Sequence, residues 1–67
     1  MAVVGYVPGV FDMFHVGHLR ILQRSALQCD RLVAGVVDSA ATRSMKGADP
    51  LISIEERLEI VRAVSCV

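Results

Sequence analysis

The spacing of apolar residues switches along this chain between strand-like runs and helical repeats. Val3, Val4, Tyr6 and Val7 form a β-branched and aromatic run stopped by Pro8 and Gly9, the pattern of a buried strand ending in a tight turn. From about Gly17 to Cys29, Leu19, Leu22, Ala26 and Cys29 recur at helical spacing while Arg20, Gln23, Arg24 and Gln28 fall elsewhere, which predicts an amphipathic helix. Arg31 to Val37 is a second short apolar run without helical gaps, ended by Asp38 and Ser39, and reads as another buried strand. Ser39 to Ile52 is small and polar and shows no period, so a loop is expected there, with a helical turn near Ala40. Ser53-Ile54-Glu55-Glu56 then fits a capping box in which Ser53 accepts from the N–H three residues on and Glu56 reaches back. Ile54, Leu58, Val61 and Ser65 share one face of the helix that starts there.

The resulting β-α-β-α order predicts an α/β fold with a Rossmann-like parallel sheet. Crossovers of this kind are right-handed and make the strands parallel neighbours, so the loop after the first strand opens at the carboxyl edge, where open α/β sheets bind ligands. At 67 residues the chain is at most one domain. Its 54% apolar content and mean hydropathy of +0.54 exceed what a lone unit of this size needs, and imply that more chain or another subunit packs against it.

Seven basic residues balance seven acidic ones, so no net field draws the chain to nucleic acid or an anionic membrane, and a bound anion must be held by a local cluster. Cys29 and Cys66 stand in no metal-like pattern and read as reduced core thiols of a cytoplasmic protein. No apolar run approaches the roughly 18 residues of a membrane span. The stretch from Met1 to Gly5 has no basic n-region or cleavage site, so export is not expected.

His15 and His18 flank Gly17 where the first strand has ended and the first helix begins, beside the orphan N–H groups and positive dipole end of that helix. Gly17 lets a phosphate approach the backbone, and each imidazole can donate to a non-bridging oxygen. Asp12 could orient a histidine or meet a metal-bridged phosphate. Taken alone, two histidines at this spacing fit helix caps or half a zinc site as well. Zinc, however, takes three or four protein ligands, and the chain has no third histidine and no suitably paired cysteines.

The segment Gly9-Val10-Phe11-Asp12-Met13-Phe14-His15-Val16-Gly17-His18 resembles the first signature, His-x-Gly-His, of the cytidylyltransferase-like nucleotidyltransferases. These include glycerol-3-phosphate, choline-phosphate and ethanolamine-phosphate cytidylyltransferases and sugar-phosphate adenylyltransferases. Asp38, the Lys46-Gly47 pair and Glu56-Arg57 fall where those enzymes have similar residues. The resemblance implies that residues 1–67 are the N-terminal half of one HUP-type nucleotidyltransferase domain. A phosphorylated substrate would attack the α-phosphorus of a nucleoside triphosphate in line, with pyrophosphate leaving and Mg²⁺ accompanying the nucleotide.

By that resemblance His15, His18 and Lys46 are the catalytic residues, with Lys46 bridging the acceptor phosphate and the α-phosphate. Gly9, Val10, Phe11, Asp12, His15, Val16, Gly17, His18 and Arg57 are the nucleotide-binding set. The wording of the motif favours cytidylyl transfer from CTP to a phospho-alcohol, with adenylyl transfer from ATP to a sugar phosphate, or a non-catalytic fragment of the fold, as alternatives. A homodimer is expected from the same resemblance. Val10 where the glycerol-phosphate enzymes commonly have Thr, Ala48 where they have a second lysine, and Ser65 where they have an arginine set this chain apart from that branch.

Overall fold

The computed structural model describes residues 2–67; Met1, the first residue of the N-terminal stretch discussed above, lies outside them. The chain runs β1 (Val4–Gly9), α1 (Val16–Ala26), β2 (Arg31–Val36), α2 (Ser39–Lys46) and α3 (Ile54–Arg62). β1 and β2 pair in parallel, from Val4 opposite Arg31 to Gly9 opposite Val36, as a β-α-β crossover requires. The ladder continues one step past the strands, where the Val37 N–H donates to the Gly9 carbonyl at 2.9 Å. Both strands therefore end side by side, and the loops leaving them open at one edge.

Helix starts follow the polar residues. Asp38 caps α2 by accepting from the Ala41 N–H at 2.7 Å, and Ser53 caps α3 by accepting from the Glu56 N–H at 3.3 Å. α2 corrects the expected loop over Ser39–Ile52. Its two ends are marked by Asp38 and by Gly47, whose φ of 75° closes the helix in the left-handed conformation that glycine adopts freely. Its apolar content is too low for periodicity to reveal it: Thr42 is its buried residue, and the Thr42 hydroxyl donates to the Asp38 carbonyl at 2.7 Å.

The core lies on one face of the sheet. Leu22 of α1, Leu32 of β2, Val61 of α3 and Phe11 from the loop after β1 form a buried cluster, with Val7, Ala34 and Val36 packed against it. The strands were expected to be buried on both sides, and the structure corrects this. Val4, Tyr6 and Val33 alternate with the core-facing positions and are 61%, 65% and 39% exposed, because the helices contributing to the core all pack on the opposite face. Part of the apolar surplus of the composition is located here. Among the described residues, no helix is long and apolar enough to cross a membrane.

Leu22 is fully buried and Leu27, past the end of α1, is 83% exposed. Leu22→Ala is expected to cost about 2–5 kcal/mol, and Leu27→Ala less than about 0.5 kcal/mol, in urea denaturation.

Candidate functional site

At the carboxyl edge of the sheet a cavity of about 180 Å³ is lined by Val7, Pro8, Gly9, Val10, Phe11, Asp12, His18, Ile21 and Lys46. One wall is the loop from β1 to α1, another the start of α1, and the last residue of α2 brings Lys46 to it. Arrival of Lys46 from a helix end, rather than from a flexible loop, differs from the sequence expectation.

The geometry at the start of α1 decides what the histidines can do. His15 is the N-cap, and its Nδ1 accepts from the Gly17 N–H at 3.0 Å; the His18 Nδ1 accepts from the His15 N–H at 3.1 Å. A backbone N–H can only donate, so both Nδ1 atoms must keep their lone pairs. The neutral proton of each ring then sits on Nε2, and both imidazoles become Nε2–H donors. The rings are 4.2 Å apart between centroids, and His18 stacks on Phe14 at 5.3 Å, so their directions are held by packing as well. Gly17 is required for this arrangement: a Cβ there would stand 2.7 Å from Cε1 of the His15 ring.

Electrostatics favour the neutral form of His18. The His18 pKa is lowered from 6.5, first by burial of the ring and then by the neighbouring His15 and Lys46, against a smaller opposing pull from Asp12. Asp12 is itself shifted below the ordinary carboxylate value of 3.8, chiefly because it accepts the Leu51 N–H. Its oxygens accept from Leu51 and Ile52, each at 2.8 Å, so the carboxylate fastens the chain ahead of α3 to the β1–α1 loop. It does not orient a histidine.

Arg57 was expected among the nucleotide-binding residues, and the structure places it elsewhere. It is fully buried beneath the cavity, outside its lining. Its Nε donates to the Ile52 carbonyl at 2.9 Å, Nη1 to the Val10 and Val37 carbonyls at 2.9 and 2.5 Å, and Nη2 to the Ser39 hydroxyl at 3.3 Å. A planar fork with five N–H donors suits this crowd of acceptors, as lysine would not.

Gly9, Val10, Phe11, Asp12, His18 and Lys46 thus converge on one cavity, and His15, Val16 and Gly17 build the helix start beside it. Val7, Pro8 and Ile21 also line the cavity and were missed; an apolar Ile21 off the Leu22 stripe of α1 is the signal that could have found it. Asp38, matched only by position, acts as the α2 cap. Phe11 and Met13 hold left-handed backbone conformations, with φ of 54° and 48°, in the loop that aims Asp12 and the histidines. Among the described residues there is no group of three or more His, Cys, Asp or Glu that could hold a metal ion.

The site is thus framed by a parallel β-α-β unit whose helix begins on two imidazoles, with His18 and Lys46 lining the same cavity. The chain belongs to the cytidylyltransferase-like family, whose model matches residues 6–67. It is 43% identical over 65 residues to the bifunctional protein HldE of Syntrophotalea carbinolica and 40% identical over 65 residues to that of Bradyrhizobium diazoefficiens, in each case covering 96% of this chain and 13% of the relative. The crystal structure of the lipopolysaccharide core biosynthesis protein from Thermoplasma volcanium superposes with a TM-score of 0.93 at 28% identity, covering all of this chain and 54% of that one. The chain therefore spans about an eighth of the length of the HldE relatives and about half of the solved one.

Two outcomes follow from the loop and the ring pair. Met13 is 58% exposed, so Met13→Gly relieves a left-handed backbone at little packing cost; a gain of about 0.5–1 kcal/mol is expected in urea denaturation after the added chain entropy is subtracted. The His18 ring should titrate below 6.5 by proton NMR. As the pH falls from 6.5 toward that lower midpoint, the unfolded chain takes up a proton that folded His18 resists, so its contribution to stability is present above 6.5 and lost with acid.

Proposed function

We propose that this chain supplies the phosphate-handling half of an active site that transfers a nucleotidyl group from a nucleoside triphosphate to a phosphorylated acceptor, releasing pyrophosphate. The observation that carries the reading is the pair of Nε2–H donors fixed at the start of α1, with Lys46 on the same cavity. Such a reaction involves little covalent work for the protein. An acceptor phosphate oxygen bonds to the α-phosphorus as the bond to the bridging oxygen of pyrophosphate breaks, and the task is to align two polyanions and meet the shifting charge.

In that role the imidazoles donate to phosphate oxygens without carrying a charge that would have to be desolvated. The helix N-terminus adds its partial positive charge, and Lys46 draws the acceptor and α-phosphates together as a point charge. Mg²⁺ would come with the triphosphate and offset its charge. Asp12 is the carboxylate on the cavity that could face it, since each of its oxygens accepts one N–H and keeps a further lone pair.

Two substrate pairs fit this frame. The motif wording favours a cytidylyl group from CTP and a phospho-alcohol acceptor. The likeness to a lipopolysaccharide core biosynthesis protein favours a sugar phosphate, with ATP as donor, because such cores are built of sugars. The test is pyrophosphate release by the intact gene product with Mg²⁺ and either CTP or ATP, across sugar phosphates and phospho-alcohols. One pair should turn over, and His18→Ala should lower kcat by about 10²–10³-fold. No release from either nucleotide, with His18→Ala indistinguishable from the parent, would refute the reading.

A further inference from the structure

The residues around the cavity come from segments that are far apart in sequence, and one buried side chain, Arg57, bonds to two of them, the β1–α1 loop and the start of α2. Ile52 donates to Asp12 and accepts from Arg57, which in turn donates to Val10, two residues before Asp12, closing a hydrogen-bonded circuit through the β1–α1 loop. The remaining arms of Arg57 reach the Val37 carbonyl, just past β2, and Ser39, the first residue of α2.

α2 is otherwise lightly held. Thr42 is its buried residue, and the Arg43–Asp49 ion pair near its far end is 63% exposed on both sides, where such pairs contribute little. The direction of α2 is therefore set at its start, and Lys46 is its last residue. An eight-residue helix is about 12 Å long, so a tilt of roughly 5° at Ser39 moves Lys46 by about 1 Å. A displacement of that size can cost a reaction about 100-fold.

We propose that Arg57 is a positioning residue, whose buried fork fixes Lys46 opposite His18 without touching substrate. The proposal rests on the nucleotidyl-transfer reading above. Its zero exposure sets it apart from a phosphate ligand. Lysine in its place keeps the charge but cannot serve four acceptors spread in one plane.

Arg57→Lys and Ser39→Ala in the intact gene product provide the test, with folding checked by circular dichroism. Ser39→Ala removes a single arm and leaves a residue that favours helix, so the intrinsic helix propensity of α2 is not lowered and any loosening comes from the lost tether. Its kcat should fall about five- to tenfold, with KM for the nucleotide within about twofold and faster amide exchange along α2. A folded Arg57→Lys should lose about 100-fold in kcat; if that variant does not fold, Ser39→Ala decides. Unchanged kcat and unchanged α2 exchange in Ser39→Ala would overturn the proposal, and so would a change confined to nucleotide KM, which marks a direct phosphate contact. If the parent protein transfers nothing, the functional reading fails, and exchange along α2 alone then decides whether Arg57 sets its placement.

Discussion

Each helix begins with N–H groups that no residue of the helix itself can satisfy, and this constraint organises the molecule. α2 and α3 meet it with Asp38 and Ser53, ordinary caps. α1 meets it with two imidazoles that accept from the backbone, His15 from the Gly17 N–H and His18 from the His15 N–H. The structural need and the chemical capacity are then the same bond: by spending Nδ1 on the backbone, His15 and His18 are left with Nε2–H donors in a fixed direction. The packing of His18 on Phe14 and the missing side chain at Gly17 serve that geometry.

A second constraint arises where the strands end. The carbonyls of Val10 and Val37 lie beyond the parallel ladder and are covered by α3, so they need buried donors. Arg57 supplies them, and no buried side-chain nitrogen or oxygen among the described residues is left without a partner. Burying a guanidinium is tolerated because each of its nitrogens finds an oxygen. The result joins the strand ends, the α2 start and the α3 lead around one cavity, so that stability of the fold and placement of Lys46 draw on the same side chain.

How much of this was legible in the sequence depended on whether the signal was local. The strand runs, the Leu19–Leu22–Ala26 stripe and the Ser53 cap are read within a few residues, and the elements they predict are present. α2 escaped because it has almost no apolar stripe, although Asp38 and Gly47 bracket it with start and stop signals that periodicity does not weigh. The histidines were recognisable as a helix-start pair, but which nitrogen faces out depends on backbone geometry. Asp12 and Arg57 were singled out as charges near a phosphate site. The partners of Asp12 lie 39 and 40 residues away and three of the four partners of Arg57 lie 18 to 47 away, and no local pattern records that. The uncovered face of the sheet is a related case, since alternation within β1 is masked by apolar residues at both kinds of position.

The central claim is that the imidazoles of His15 and His18 are neutral Nε2–H donors because the backbone occupies Nδ1. Long-range proton–nitrogen correlation spectra of imidazole-labelled protein near pH 7.5 report this directly. Both rings should show a protonated Nε2 and a Nδ1 with the nitrogen shift of a lone-pair acceptor. A protonated Nδ1 on either ring, or an imidazolium, would contradict the account.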